Sequence, residues 1–266
     1  MNLTYVLADG SIAAKRNFIK IKRVPEVLIW VLLSPIMFLL LFAFVFGNAI
    51  PIEGMDYREF LIAGIFAQSI VFGAMNTGTG IAEDMQKGII DRFRSLPMSN
   101  SAVLIGRTLS DMVYNGLSLA VMALTGLLIG WQIHSSPIDA VAGFALILLF
   151  AYAVSWVFAL IGLLAPSPEV VNNGSFMVVM PLTFISNVFI PIETLPTPLR
   201  VFAEWNPVSG VTQAARNLFG NTSPHAPGSD AWPMQHAELY TLIWVAILLV
   251  VFVPLAVARY QRAASR

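Results

Sequence analysis

Six stretches of mostly apolar residues divide this 266-residue chain: 27–46, 60–81, 102–129, 139–164, 174–190 and 239–258. A helix needs about 20 such residues to cross a bilayer, so each stretch predicts a spanning helix. The third and fourth are long enough to tilt or to extend past the hydrocarbon. The fifth is the shortest and carries Pro181. The polar positions cluster between these stretches. The densest charged run, residues 82–101, joins the second and third. Charges are costly in hydrocarbon, so this run lies in water at the membrane surface.

The run has a helical pattern of its own. Met85, Ile89, Phe93 and Leu96 step by four, four and three, which puts them on one helix face. Asp84, Lys87, Asp91 and Arg94 fall largely elsewhere. Gly88 would stand mid-helix, where glycine costs roughly 0.5–1 kcal/mol relative to alanine. Close approach by another backbone would account for it, and Pro97 would end the helix. The other reading of the same residues is a solvated loop that only joins two spans.

Two further segments break the apolar pattern. Residues 1–26 mix Ile12, Phe18, Ile19 and Ile21 with Lys15, Arg16, Lys20, Lys22 and Arg23. That mixture predicts a basic amphipathic helix in the interface plane, ended by Pro25. The apolar run after it is too long for a signal-peptide core, so it reads as a retained first span. Residues 191–236 begin as two short apolar helices. Proline opens the first, near Pro196. Asn206-Pro207 supplies an N-cap and a first-turn proline for the second, and Gly220 is placed to end it. Both helices are expected to dip back toward the membrane. Residues 221–230, rich in Pro, Gly and Ser, read as loop. The triplet Asn221-Thr222-Ser223 matches a glycosylation sequon, but such triplets are common by chance.

Composition agrees with a membrane protein. Charged residues make up 11% of the chain, under half of the usual ~25%, and 57% is hydrophobic. Net charge is zero, so nothing points to nucleic acid. There is no cysteine, and the three histidines show no metal-ligand spacing. With the N-terminus inside, twelve of the fifteen Lys and Arg fall on the cytoplasmic side. Only Arg58, Arg200 and Arg216 stay outside, so both termini are predicted to be cytoplasmic. Arg107 and Asp111, four apart, can pair at the base of the third span. No phosphate-binding Gly-x-x-x-x-Gly-Lys motif is present, and no hydrolase constellation appears. Residues 73–80 are glycine-rich inside a span, which suggests close helix packing. The second and fifth stretches carry polar residues, which at membrane depth face a cavity or bond to neighbouring helices.

Three motifs carry a family resemblance. Lys87-Gly88-Ile89-Ile90-Asp91-Arg92-Phe93-Arg94-Ser95-Leu96-Pro97-Met98-Ser99, followed by Gly106-Arg107-Thr108, resembles the cytoplasmic loop of ABC-2 type transporter permeases. It is most similar to their daunorubicin/doxorubicin-resistance branch. Phe189-Ile190-Pro191-Ile192-Glu193-Thr194-Leu195-Pro196 is a second match. Glu204-Trp205-Asn206-Pro207-Val208-Ser209, then Ala215-Arg216, is a third.

The resemblance implies an all-α integral membrane protein of one domain. Its parts would be six spans, the N-terminal interfacial helix, a cytoplasmic coupling helix, two short external re-entrant helices and a cytoplasmic tail, 259–266. It implies a bacterial plasma-membrane permease for a small hydrophobic or amphiphilic compound, with no catalysis on this chain. ATP and Mg would be held by a separate ABC ATPase, in two copies. A second permease half, most simply another copy of this chain, would complete the path through the lipid.

The coupling helix would comprise Asp84, Lys87, Gly88, Ile89, Asp91, Arg92, Phe93, Arg94, Leu96 and Pro97, with Ile89, Phe93 and Leu96 filling the ATPase groove. Gly88→Trp is expected to uncouple transport. In this family the second and fifth spans face the partner half, so Gln68, Phe72, Asn76, Thr183, Phe184 and Asn187 are the pathway candidates. Pro191, Glu193, Pro196, Asn206 and Pro207 would form the outer gate. The same architecture also suits export of a lipid, glycolipid or polysaccharide, and a non-transporting membrane scaffold is the reading from another class.

Overall fold

The computed structural model describes residues 25–45, 52, 54–89, 102–222 and 229–263. The interfacial helix, the end of the tail, and Asp91, Arg92, Phe93, Arg94, Leu96 and Pro97 of the coupling segment lie outside the described residues.

The described chain is helical. The long helices are α1 (Pro25–Val45), α2 (Tyr57–Gln86), α3 (Ala102–Leu128), α4 (Pro137–Leu164) and α5 (Pro168–Phe184). A 3-10 turn (Ile192–Thr194), α6 (Thr197–Glu204), α7 (Pro207–Phe219) and the single turn α8 (Trp232–Gln235) follow, before α9 (Ala237–Ala263). Four helices are long and apolar enough to cross a membrane: α2, α4, nearly all of α3 and nearly all of α9. Their ends follow local chemistry. Asp56 caps α2 by accepting from the Arg58 amide, and Ser136 with Pro137 opens α4.

Helix α2 is the hub, packing on α1, α3, α4, α5 and α7. Leu61, Ile62, Ile65 and Phe66 on it have no exposed surface. Small residues set its distance from α4. A Cβ on Gly162 would strike the Gly78 carbonyl, and one on Gly78 would strike the Phe158 carbonyl. Two backbones therefore meet there, as the glycine-rich stretch suggests. At the other end of the bundle, Phe66, Trp131 and Phe219 meet edge to face at 5.3–6.3 Å. Trp131 Nε1 donates to Asn221 Oδ1 at 2.9 Å. Asn221 is thus buried and bonded, not a displayed sequon.

Two sequence expectations need correction. The fifth helix does not run over 174–190. Ser167 and Pro168 start it earlier, and it stops at Phe184, three residues past Pro181. Residues 185–191 leave the helix because distant side chains satisfy their backbone. Asn206 Nδ2 donates to the Leu182 and Ile185 carbonyls, and the Asn187 amide donates to Ser209 Oγ. The second correction concerns Gly88, which is not mid-helix. Helix α2 ends at Gln86, Lys87 caps it, and Gly88 has φ +63°. Nothing lies within 4 Å of where its Cβ would be, so the left-handed turn is the local reason for glycine, not a close neighbour.

Candidate functional site

A cavity of about 770 Å³ opens between α1, α2, α3 and α5. On α2 its wall follows one face: Gln68, Phe72, Asn76, Thr79 and Glu83. Fifteen residues of helix give that face a length of about 22 Å. The end nearest Lys87 is charged, with Glu83, Asp84, Arg107 and Asp111. The other end is apolar and aromatic, with Phe38, Phe72, Phe176 and Phe184. Phe72 and Phe176 pack with ring centres 5.9 Å apart.

The charged end is braced. Thr77 Oγ1 donates to Asp111 Oδ2 at 2.7 Å, and Arg107 Nε donates to the same oxygen at 3.1 Å. Arg107 also donates to the Asn76 carbonyl at 3.2 Å. This brace ties α3 to α2 just beside the turn at Gly88. It is possible because position 80 is glycine: a Cβ there would collide with the Arg107 guanidinium. Gly73, two turns away, gives the same room to the side-chain oxygen of Asn115.

Of the pathway candidates, Gln68, Phe72, Asn76 and Phe184 line the cavity. Thr183 and Asn187 are not among its lining residues. Thr183 Oγ1 donates to the Val179 carbonyl of its own helix. Asn187 is buried in the external fold, where Nδ2 donates to Gln213 Oε1 at 3.3 Å. Helix α3 is the wall that the sequence reading missed, with Tyr114, Asn115 and Ser118 beside Arg107 and Asp111. Its signal was present as a polar stripe at helical spacing: Arg107, Asp111, Asn115, Ser118.

The external candidates converge on Asn206. Its Oδ1 accepts from the Val208 amide and starts α7, while its Nδ2 closes the end of α5. One side chain therefore caps two helices. Pro207 is the first residue of α7, and Pro191 and Pro196 flank the 3-10 turn that holds Glu193. Arg216 completes this corner. It is 2% exposed, and its Nη2 donates to the Asn187 and Val188 carbonyls at 2.7 and 3.3 Å. Burial pulls its guanidinium down from the ordinary value to about 9, so it stays charged at neutral pH. At the cytoplasmic end Lys87 pairs with Glu83 at 3.3 Å, and Ile89 is again helical. Among the described residues no group of His, Asp and Glu is arranged to hold a metal.

Comparison with known proteins places this architecture. Residues 11–219 match the family model described as ABC-2 type transporter. The chain is 35% identical over 208 residues to the daunorubicin resistance ABC transporter permease protein DrrB1 of Streptomyces coeruleorubidus, covering 78% of this chain and 74% of that one. It is 26% identical over 237 residues to the probable doxorubicin resistance ABC transporter permease protein DrrC of Mycobacterium tuberculosis, covering 87% and 80%. It is 21% identical over 229 residues to the polysialic acid transport protein KpsM of Escherichia coli, covering 84% of each. This chain is therefore a multi-pass membrane protein belonging to the ABC-2 type transporter family.

Proposed function

We propose that this chain is the transmembrane permease subunit of an ATP-driven ABC exporter. It moves a hydrophobic or amphiphilic compound outward across the plasma membrane by alternating access. The observation that carries this reading is the cavity: about 770 Å³, aromatic at one end and charged at the other, in a chain similar to permeases named for drug resistance. In this reading α1 and α5 join the four long apolar helices to make six spans, with both termini cytoplasmic. Gln68, Phe72, Asn76 and Phe184 belong to the pathway, and the corner around Asn206 and Pro207 is the outer gate.

The engine is a separate ABC ATPase in two copies, which holds ATP and Mg. The segment that begins at Lys87, Gly88 and Ile89 docks on it. A second permease half, another copy of this chain, completes the path. The aromatic walls favour a drug-like or lipid-like cargo over a polysaccharide, although a polysialic acid transport protein is also similar.

The test is assembly. Purified with its ATPase subunit in lipid nanodiscs, the chain raises the rate of ATP hydrolysis, and daunorubicin used as a probe raises it further. A rate unaffected by the chain would fit a membrane scaffold instead and would end the exporter reading.

A further inference from the structure

Two buried carboxamides face the cavity with their hydrogen-bonding groups unused. Gln68 of α2 is 3% exposed and Asn115 of α3 is 6% exposed, and both line the wall. Among the described residues neither side chain has a hydrogen-bond partner, and neither amide is sealed off from the cavity. Buried polar groups are rarely left so, because an unserved amide costs about 1–3 kcal/mol. The contrast with the neighbouring groups is clear. Asp111, also buried, is served by Thr77 and Arg107. Asn115 is also placed deliberately: its Oδ1 occupies space that any residue larger than glycine at position 73 would fill.

We infer that Gln68 and Asn115 are the pair that selects the cargo, and that the cargo is a flat apolar compound bearing hydroxyl and carbonyl groups. The inference rests on the exporter reading and adds a substrate class to it. Each carboxamide both donates and accepts, so it serves a ligand carbonyl and a ligand hydroxyl equally well. Both amides are neutral, and the nearby charged brace is internally paired, so this part of the wall asks for hydrogen bonds rather than for charge. Phe72 stands one residue before Gly73 and one turn after Gln68, with Phe176 packed on it, and offers ring surface to a planar body. A bare hydrocarbon of the same shape would strip water from both amides and replace nothing. A site built to hydrogen-bond its ligand rejects an analogue without the groups far more strongly than an apolar site does.

The experiment compares two planar probes, 1,4-dihydroxyanthraquinone and anthracene. Their binding to the permease–ATPase complex in nanodiscs is read by probe fluorescence, with protein-free nanodiscs subtracted. The dihydroxy compound is expected to bind about tenfold tighter, the scale of one good hydrogen-bonded discrimination. Asn115→Leu and Gln68→Leu each reduce that preference severalfold, with anthracene binding nearly unchanged. Gly73→Ala, which keeps both amides but displaces Asn115, reduces it too. Asn115→Ser, which retains a hydrogen-bonding group in a smaller side chain, keeps part of it. A preference equal in wild type and all four variants overturns the inference and leaves the exporter reading standing. Failure of both probes to bind the wild-type complex overturns the inference and counts against the exporter cavity as well.

Discussion

The guanidinium carbon of Arg216 sits 3.4 Å from the centre of the Phe60 ring, and its Nε donates to the Phe60 carbonyl at 2.9 Å. One cation thereby joins the start of α2, the end of α7 and the non-helical segment after α5. It is stacked and hydrogen-bonded at once, which the planar guanidinium can do and an ammonium cannot. Arg216→Lys is therefore expected to behave as a loss, not as a conservative change. Removing two or three charge-assisted bonds costs about 2–4 kcal/mol. Thermal unfolding of the purified protein should show a midpoint lowered by several degrees for Arg216→Lys, and by at least as much for Arg216→Met. An unchanged midpoint in Arg216→Lys would mean the fork geometry is not used.

The brace of Thr77, Arg107 and Asp111 predicts strong non-additivity. Arg107→Met leaves the Asp111 carboxylate buried with only Thr77, a loss on the order of 3–5 kcal/mol. Asp111→Leu strands Arg107 in the same way. The double variant Arg107→Met/Asp111→Leu removes both charges together and should recover much of the loss. The quantity to measure is the coupling in a double-variant cycle of unfolding stability. Simple addition of the two single effects would show that the ion pair is incidental.

At Gly88 the backbone, not the neighbourhood, limits substitution. With φ +63° and open space where a Cβ would stand, side-chain bulk should matter little. A non-glycine residue in that region costs about 1–2 kcal/mol, and asparagine tolerates it best. Gly88→Ala and Gly88→Trp should therefore impair cargo-stimulated ATP hydrolysis to a similar degree, with Gly88→Asn close to wild type. A graded loss that follows side-chain volume would restore the crowded-helix explanation.

Much of this was legible in the chain. The long apolar runs located α2, α3, α4 and α9, because a bilayer leaves few alternatives to a helix of that length. Asn206-Pro207 and Gly220 marked the two ends of α7, and Gly220 has φ +73° as a C-cap glycine should. Contacts made far along the sequence were harder to read. The end of α5 depends on Asn206 and Ser209, over twenty residues later, so the apolar run through Ile190 looked helical. Arg216 counted as one of three external cations, and nothing local shows that it is buried on Phe60. Helix α3 was passed over because its polar stripe takes its meaning from Gly73 and Gly80 on another helix. A single glycine at position 88 likewise does not distinguish a close neighbour from a left-handed turn.

The central claim is that ATP drives a compound through this chain. Inside-out proteoliposomes holding the chain and its ATPase, loaded with a fluorescent hydrophobic probe such as daunorubicin outside, test it directly. The account predicts probe accumulation that requires ATP and falls to background in vesicles lacking this chain. Sustained ATP hydrolysis with no accumulation above that background would contradict it.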